Sequence, residues 1–392
     1  MKLVLKLLAG ILAGLLLGLY APEWVARLLF TAKSVIGQLI GFTIPLIILF
    51  FITSGIASLP KNSGKLLGKT VALAYGSTIL AGTFAFTLAR QLIPTLTEAA
   101  SASADPASKL VSYIGMEIPP LFGVMSALAA AFIFGIGISA NEATDLRRIA
   151  DQGRDIIDRL LARVIIPLLP IYIAGVFIEM TVEGTVFATL KTFGVVLVMA
   201  IVMHWIWLCL LFLGTGLALG RSPLLLLKNM LPAYFTALGT MSSAATIPVA
   251  LRASRQNGVS EGIANFTVPL CATIHLCGST ITLVTCTTAV MYLSEHLAIP
   301  GYGTMLPFIM MLGVIMIAAP GAPGGGVMSA LGLLTSMLGF GEASIALMIA
   351  LYLAQDSFGT ACNVTGDGVI ALWADRFAQG EQTQLVSERE TA

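Results

Sequence analysis

Gly321-Ala-Pro-Gly-Gly-Gly326 stands between two apolar runs, Phe308 to Ala319 before it and Val327 to Leu334 after it. Its composition predicts a break in the helix. Pro323 has no N–H, and four glycines in six residues disfavour helix strongly. In lipid, every backbone polar group needs a partner inside the protein. Such a backbone lines a polar cavity or binds something, and a helix broken at membrane depth is how transporters build a site.

The rest of the chain places that break in a membrane. Of 392 residues, 57% are hydrophobic and 10% charged, and the mean hydropathy is +0.94. Soluble chains are about a quarter charged. Apolar runs of twenty or more residues exclude a β-barrel, whose segments alternate over about ten. The reading is an all-α polytopic membrane protein. A net charge of +1, without a basic patch carrying interleaved aromatics, gives no reason to expect nucleic acid. The five cysteines lie in apolar stretches without metal-ligand spacing. No small-residue cleavage site follows the N-terminal apolar run, so it reads as a first span and not a removed signal.

Eight spans are expected, near 3–20, 34–58, 70–92, 119–140, 164–182, 187–219, 262–293 and 342–373. A short amphipathic connector, 21–33, precedes span 2, and a charged amphipathic helix, 141–163, precedes span 5. With the N-terminus inside, sixteen of the 21 lysines and arginines fall at cytoplasmic ends, so both termini are placed in the cytoplasm.

Two hydrophobic segments, 222–253 and 303–339, are interrupted. The first breaks at Thr240-Met-Ser-Ser-Ala-Ala-Thr-Ile-Pro248 and the second at Gly321–Gly326. Neither arm reaches the roughly 20 residues needed to cross. Each segment is expected to dip in and return, one from each side. Each is followed by a span with polar residues, which is the signature of an inverted repeat with its site at the midplane. Helix N-termini at such tips suit a carboxylate, and unwound carbonyls suit a hard cation. A kink buried by neighbours is the plainer reading of either break alone.

Span 8 carries Gln355-Asp-Ser-Phe-Gly-Thr-Ala-Cys-Asn-Val-Thr-Gly-Asp367. Asp356, Thr360, Asn363 and Asp367 are spaced by 4, 3 and 4, so they share one helix face. Acids in a span are expensive, and two of them suggest counter-charges for an ammonium or proton and for a metal cation. A hydrogen-bonded helix seam is the alternative. Span 7 carries Cys271-Ala-Thr-Ile-His-Leu-Cys-Gly-Ser279, where Gly278 is the expected unwinding point. His275 suits a proton carrier or a neutral hydrogen-bond partner. His204 and His296 read as lying nearer span ends and receive no role. Ser77 and Thr78 in span 3 read, on spacing alone, as helix–helix glue.

These residues resemble the glutamate transporter family, the dicarboxylate/amino acid:cation symporters. The resemblance covers nearly the whole chain and is specific from about Ala233 to Asp367. Four motifs carry it: the serine-rich tip at 240–248, the His275-Leu-Cys-Gly-Ser stretch where the family has Asn-Met-Asp-Gly-Thr, the Gly321–Gly326 tip, and an intact Asn363-Val-Thr-Gly-Asp. The resemblance implies an elevator-type homotrimer. Its scaffold would be 1–69 (helices 1 and 2) and 119–185 (helices 4 and 5). Its transport domain would be helix 3 with an outer loop in 70–118, then 186–373 with helices 6, 7 and 8 and both hairpins. Residues 374–392 would be a cytoplasmic tail.

The resemblance also implies roles. Asp356 would take a substrate amino group, and Asn363, Thr360, Ser242 and Ser243 would hold its carboxylate and backbone, with Ser279, Ala322, Gly326 and Gly359 lining the site. Gly321, Pro323, Gly324 and Gly325 would form the outer gate. Na⁺ would sit at Asp367 and Asn363 with the carbonyls of Cys271 and His275, and a second ion at Thr273 and the second tip. A third cation site, at Ser77, Thr78 and Cys277, would be weakened because Cys277 replaces an acid.

Acidic-substrate members of the family carry an arginine at a position held here by Met241 or Gly359. A desolvated carboxylate without that partner is costly. The expectation is Na⁺-coupled import of serine, threonine or alanine, closest to the serine/threonine–sodium branch, in a prokaryotic cytoplasmic membrane. H⁺ coupling through His275 and a dicarboxylate substrate are the rivals within the family. A channel would want a continuous polar pore, and an enzyme a nucleophile beside a base. No cofactor beyond the coupling ion is implied, and the partners are the amino acid, membrane lipid and copies of the chain.

Overall fold

The computed structural model describes residues 2–57, 64–96, 110–294, 296–317, 319 and 324–391. Among these the chain is all-helical, without a strand. The helices are α1 (Lys2–Tyr20), α2 (Glu23–Ala57), α3 (Gly64–Leu96), α4 (Val124–Asn141), α5 (Thr144–Leu160), α6 (Ile166–Glu183), α7 (Val186–Leu219), α8 (Pro223–Thr240), α9 (Ser243–Gln256), α10 (Glu261–Ile274), α11 (Cys277–Leu293), α12 (Tyr302–Met316), α13 (Gly325–Leu338) and α14 (Glu342–Thr391). Seven stretches among the described residues are long and apolar enough to cross a bilayer, with α5 counted together with α6 and α10 with α11. The chain is a multi-pass membrane protein.

Several boundaries differ from the sequence reading, α14 running on to Thr391 where a tail from residue 374 was expected, and three others bear on the packing. The connector 21–33 and span 2 form one helix, Glu23–Ala57. Its buried face runs on through Ala26, Thr31, Lys33, Ile36 and Ile40, so nothing ends the helix at residue 33. The amphipathic α5 passes into α6 through a π-turn at Leu161–Ile165. Pro167 cannot donate to the carbonyl four residues back, and the hydrogen-bond ladder widens there. Span 7 breaks at His275–Leu276 and not at Gly278.

The chain divides into two compact units. One comprises Met1–Leu59, Phe86–Met199 and Leu283–Gln355. In it, α1 lies against α6 along Gly10, Gly14 and Gly18. A Cβ at these glycines would run into Pro170, Ala174 and Thr181, so the two backbones approach as small-residue interfaces allow. Lys33 of α2 donates to Glu179 of α6 at 2.6 Å, with side-chain exposures of 6% and 13%. This unit also holds α12 and α13, which pack together. Gly324 enters α13 at φ 81°, a left-handed conformation open to glycine. Gly321, Ala322 and Pro323 lie outside the described residues.

The other unit comprises Pro60–Ala85, Ala200–Thr282 and Asp356–Ala392. Here α8 and α9 pack on each other around a two-residue tip. Met241 ends α8 in the left-handed region at φ 55°, and Ser242 begins α9 as its N-cap, its hydroxyl accepting from Ala245 N. A Ser at this position satisfies one orphan N–H of the new helix.

Candidate substrate and cation site

The second unit contains most of the expected site residues, and several of them meet at the break in span 7. The helix α10 ends at Ile274, and His275 takes an extended conformation with its N–H donating to Cys271 O at 2.9 Å. The next helix starts at Cys277, leaving first-turn N–H groups without helical partners. Asn363 of α14 supplies them. Its Oδ1 accepts from Gly278 N at 2.7 Å and from Ser279 N at 3.1 Å. Its Nδ2 donates to Ser279 Oγ at 2.8 Å. One span thus caps the broken end of another, and the Asn363 amide keeps one hydrogen for a further acceptor.

Gly278 shows why the break needs a glycine beside it. A Cβ there would collide with Cys362 and with Gly359 O. The residue serves close approach of spans 7 and 8, and unwinding occurs just before it. Gly359 is packed from the same side. A Cβ on it would lie 3.1 Å from Thr282 Oγ1 and 3.3 Å from Ser279 N.

Below this junction sits a second polar cluster. His275 is fully buried, with Nδ1 2.9 Å from Asp367 Oδ1 and Nε2 3.0 Å from Ser77 Oγ. An ionised carboxylate only accepts, so Nδ1 carries a proton. Asp367 is 1% exposed. The imidazole therefore bridges spans 3, 7 and 8 from inside. Thr78 is turned to its own helix, donating to Ala74 O at 3.0 Å. Cys277 is buried, and its sulfur faces Gly366.

The remaining expected residues fall as follows. Asp356 and Thr360 are buried on α14, on the same helix as Asn363 and Asp367. Ser242 and Ser243 lie half-buried at the first tip. Thr273 is exposed, with its hydroxyl donating to Leu270 O. Gly324, Gly325 and Gly326 belong to the other unit, where Gly326 lies under the Tyr352 hydroxyl.

His204 reads from the sequence as lying nearer a span end and receives no role, whereas the structure puts it well inside the span and against the break. It lies at mid-length of α7, 1% exposed, with Nε2 3.0 Å from Gly278 O and 3.1 Å from Thr282 Oγ1. A histidine inside an otherwise apolar run was the signal available.

The family model described as "Sodium:dicarboxylate symporter family" matches residues 3–377. Among curated relatives, "Excitatory amino acid transporter 1" of Homo sapiens is 28% identical over 290 residues, covering 70% of this chain and 52% of its own. "Excitatory amino acid transporter 5" of Homo sapiens is 29% identical over 202 residues, covering 51% of this chain and 35% of its own. "Serine/threonine transporter SstT" of Acinetobacter baylyi is 25% identical over 354 residues, covering 85% of this chain and 86% of its own. The chain spans about half the length of the excitatory amino acid transporters it matches first.

Proposed function

The chain belongs to the sodium:dicarboxylate symporter family, a family of transporters, and from that premise we propose that it imports a small neutral amino acid, serine, threonine or alanine, together with Na⁺. The observation that carries this reading is the pair of positions where an arginine for a side-chain carboxylate is expected by resemblance. One is Met241, buried at the first tip, and the other is Gly359, packed on Ser279 and Thr282. Without a guanidinium at either place, a second substrate carboxylate would be desolvated without a counter-charge. The printed name of the Acinetobacter baylyi relative agrees with such a substrate.

In this proposal Asp356 faces the substrate ammonium, and Thr360, Ser242 and Ser243 face its carboxylate. Asn363 holds the first turn of α11 and offers its remaining N–H. Asp367, with the carbonyls of Cys271, His275 and Asn363, binds Na⁺. The His275 ring lies on Ser77, where the third cation would need an oxygen, so fewer ions accompany each substrate. The protein works as a homotrimer with eight spans and two re-entrant hairpins, by an elevator motion, in a prokaryotic cytoplasmic membrane with both termini inside.

A second reading within the family is H⁺ coupling. It draws on His275, which holds Asp367 and Ser77 on its two nitrogens. The family description keeps a dicarboxylate or acidic amino acid substrate as the other alternative.

Counterflow in proteoliposomes, with a panel of labelled amino acids, with and without a Na⁺ gradient and at two pH values, tests all three. Serine, threonine or alanine should exchange, and a Na⁺ gradient should drive their accumulation. Aspartate outcompeting serine would overturn the substrate, and accumulation driven only by a pH gradient would overturn the ion.

A further inference from the structure

The broken segment of span 7 is held from two sides, by Asn363 of span 8 and by His204 of span 6. Gly278 C=O and Ser279 N–H belong to one planar peptide unit and point in opposite directions. Asn363 Oδ1 takes the N–H end at 3.1 Å. The C=O end accepts from His204 Nε2 at 3.0 Å and from Thr282 Oγ1 at 3.2 Å. A carbonyl oxygen only accepts, so Nε2 carries the His204 proton. Nδ1 then presents a lone pair, and among the described residues it finds no hydrogen-bond partner. The neutral tautomer with hydrogen on Nε2 is the one form that leaves no N–H orphaned in this dry setting.

The ring is fixed as well. His204 is 1% exposed, and its own carbonyl lies 3.9 Å from the Cys362 thiol. Cys362 is the side chain against which Gly278 packs. The peptide plane is therefore clamped at its oxygen by span 6, at its hydrogen by span 8, and along its edge by Cys362.

We propose that His204 is a positioning residue for the substrate and cation site. By holding Gly278 O it sets the tilt of the Gly278–Ser279 plane. That tilt determines whether Asn363 can accept both first-turn N–H groups and still present its amide on the face shared with Thr360 and Asp367. Helix–helix glue would need no particular partner. Here the partner is the carbonyl of the residue at the break. The proposal rests on the transport reading above for the identity of the site, not for the geometry.

Full-length His204→Gln, His204→Asn and His204→Leu test it. Glutamine carries an amide N–H at about the depth of Nε2, whereas asparagine stops short. Hydrogen exchange across 275–282 is measured on the substrate-free protein in nanodiscs, and serine uptake is measured against serine and against Na⁺. In the leucine and asparagine variants, exchange at Gly278 and Ser279 should quicken about tenfold, the scale of one hydrogen bond. Half-saturating serine and Na⁺ should rise by a similar factor, with the maximal rate changed less. Glutamine should stay within about twofold of the unaltered protein on each measure. If the leucine variant does not reach the membrane, the contrast between glutamine and asparagine decides. Wild-type exchange in the asparagine variant, or equal damage in glutamine and asparagine, overturns the proposal. Failure of the unaltered protein to take up serine with Na⁺ would sink the substrate and ion assignment instead, and the exchange comparison would still decide the role of His204.

Discussion

His275 and Asp367 meet at 2.9 Å, nitrogen to carboxylate oxygen, with neither side chain reaching solvent. The carboxylate proposed for Na⁺ is thus held by a ring from the neighbouring span. The ring orients the carboxylate, and Asp367→Asn would remove the charge while leaving an amide oxygen for the ring N–H.

Asp367→Asn should reduce Na⁺-driven serine uptake by at least about a hundredfold, since a neutral amide would leave a desolvated Na⁺ without its counter-charge. His275→Asn should retain Na⁺-driven uptake, because the carboxylate survives and the new amide can still donate to it. Initial rates in proteoliposomes across a range of Na⁺ concentrations provide the check. Full uptake by Asp367→Asn would refute the ion site, and loss of all uptake in His275→Asn would favour the proton.

Gly278→Ala should destabilise the fold by about 1–3 kcal/mol, the usual cost of forcing a methyl into a packed place. The added carbon meets Cys362 and the Gly359 carbonyl. Gly76→Ala makes the matching control, because a Cβ there meets nothing within 4 Å. It should be neutral or stabilising by up to about 1 kcal/mol, as expected for alanine in a helix. Thermal unfolding of the two variants in the same detergent measures the contrast. Equal melting temperatures would mean that the close approach of spans 7 and 8 is not real.

The Lys33–Glu179 pair makes a third test, in the other unit. Glu179→Gln leaves an ammonium buried without its anion and should cost about 3–5 kcal/mol. The double variant Lys33→Met with Glu179→Leu should recover most of that loss, because an apolar pair of similar volume needs no counter-charge. Unfolding of the single and double variants is the measurement. A double variant no better than the single one would show that packing, and not charge, is at stake.

Much of this was legible in the residues. Long apolar runs give long helices because the backbone has no other way to satisfy itself in lipid. The 4-3-4 spacing from Asp356 to Asp367 survives as four buried residues on one helix. The break at Thr240–Pro248 is real, and Ser242 caps the second arm. Other features were hidden. The break in span 7 falls before Gly278 because the glycine answers to a neighbouring helix, which no local pattern reveals. His204 bonds a backbone carbonyl 74 residues away, and carbonyls have no sequence signature. Lys33 read as part of an outer connector, although Glu179, alone in the apolar run of span 5, demanded a cationic partner somewhere.

The seam between α1 and α6 carries a mechanical consequence. Gly10, Gly14 and Gly18 recur every four residues and sit on Pro170, Ala174 and Thr181 in the same order. The two helices are keyed like a toothed rack. A slip by less than a turn, about 5.4 Å, would drive leucine side chains into notches cut for hydrogen atoms. A slip by one whole turn in one direction would bring Lys6, four residues before Gly10, onto the first notch. Register along this seam is therefore all or none, and any sliding that transport requires must take place somewhere else in the molecule.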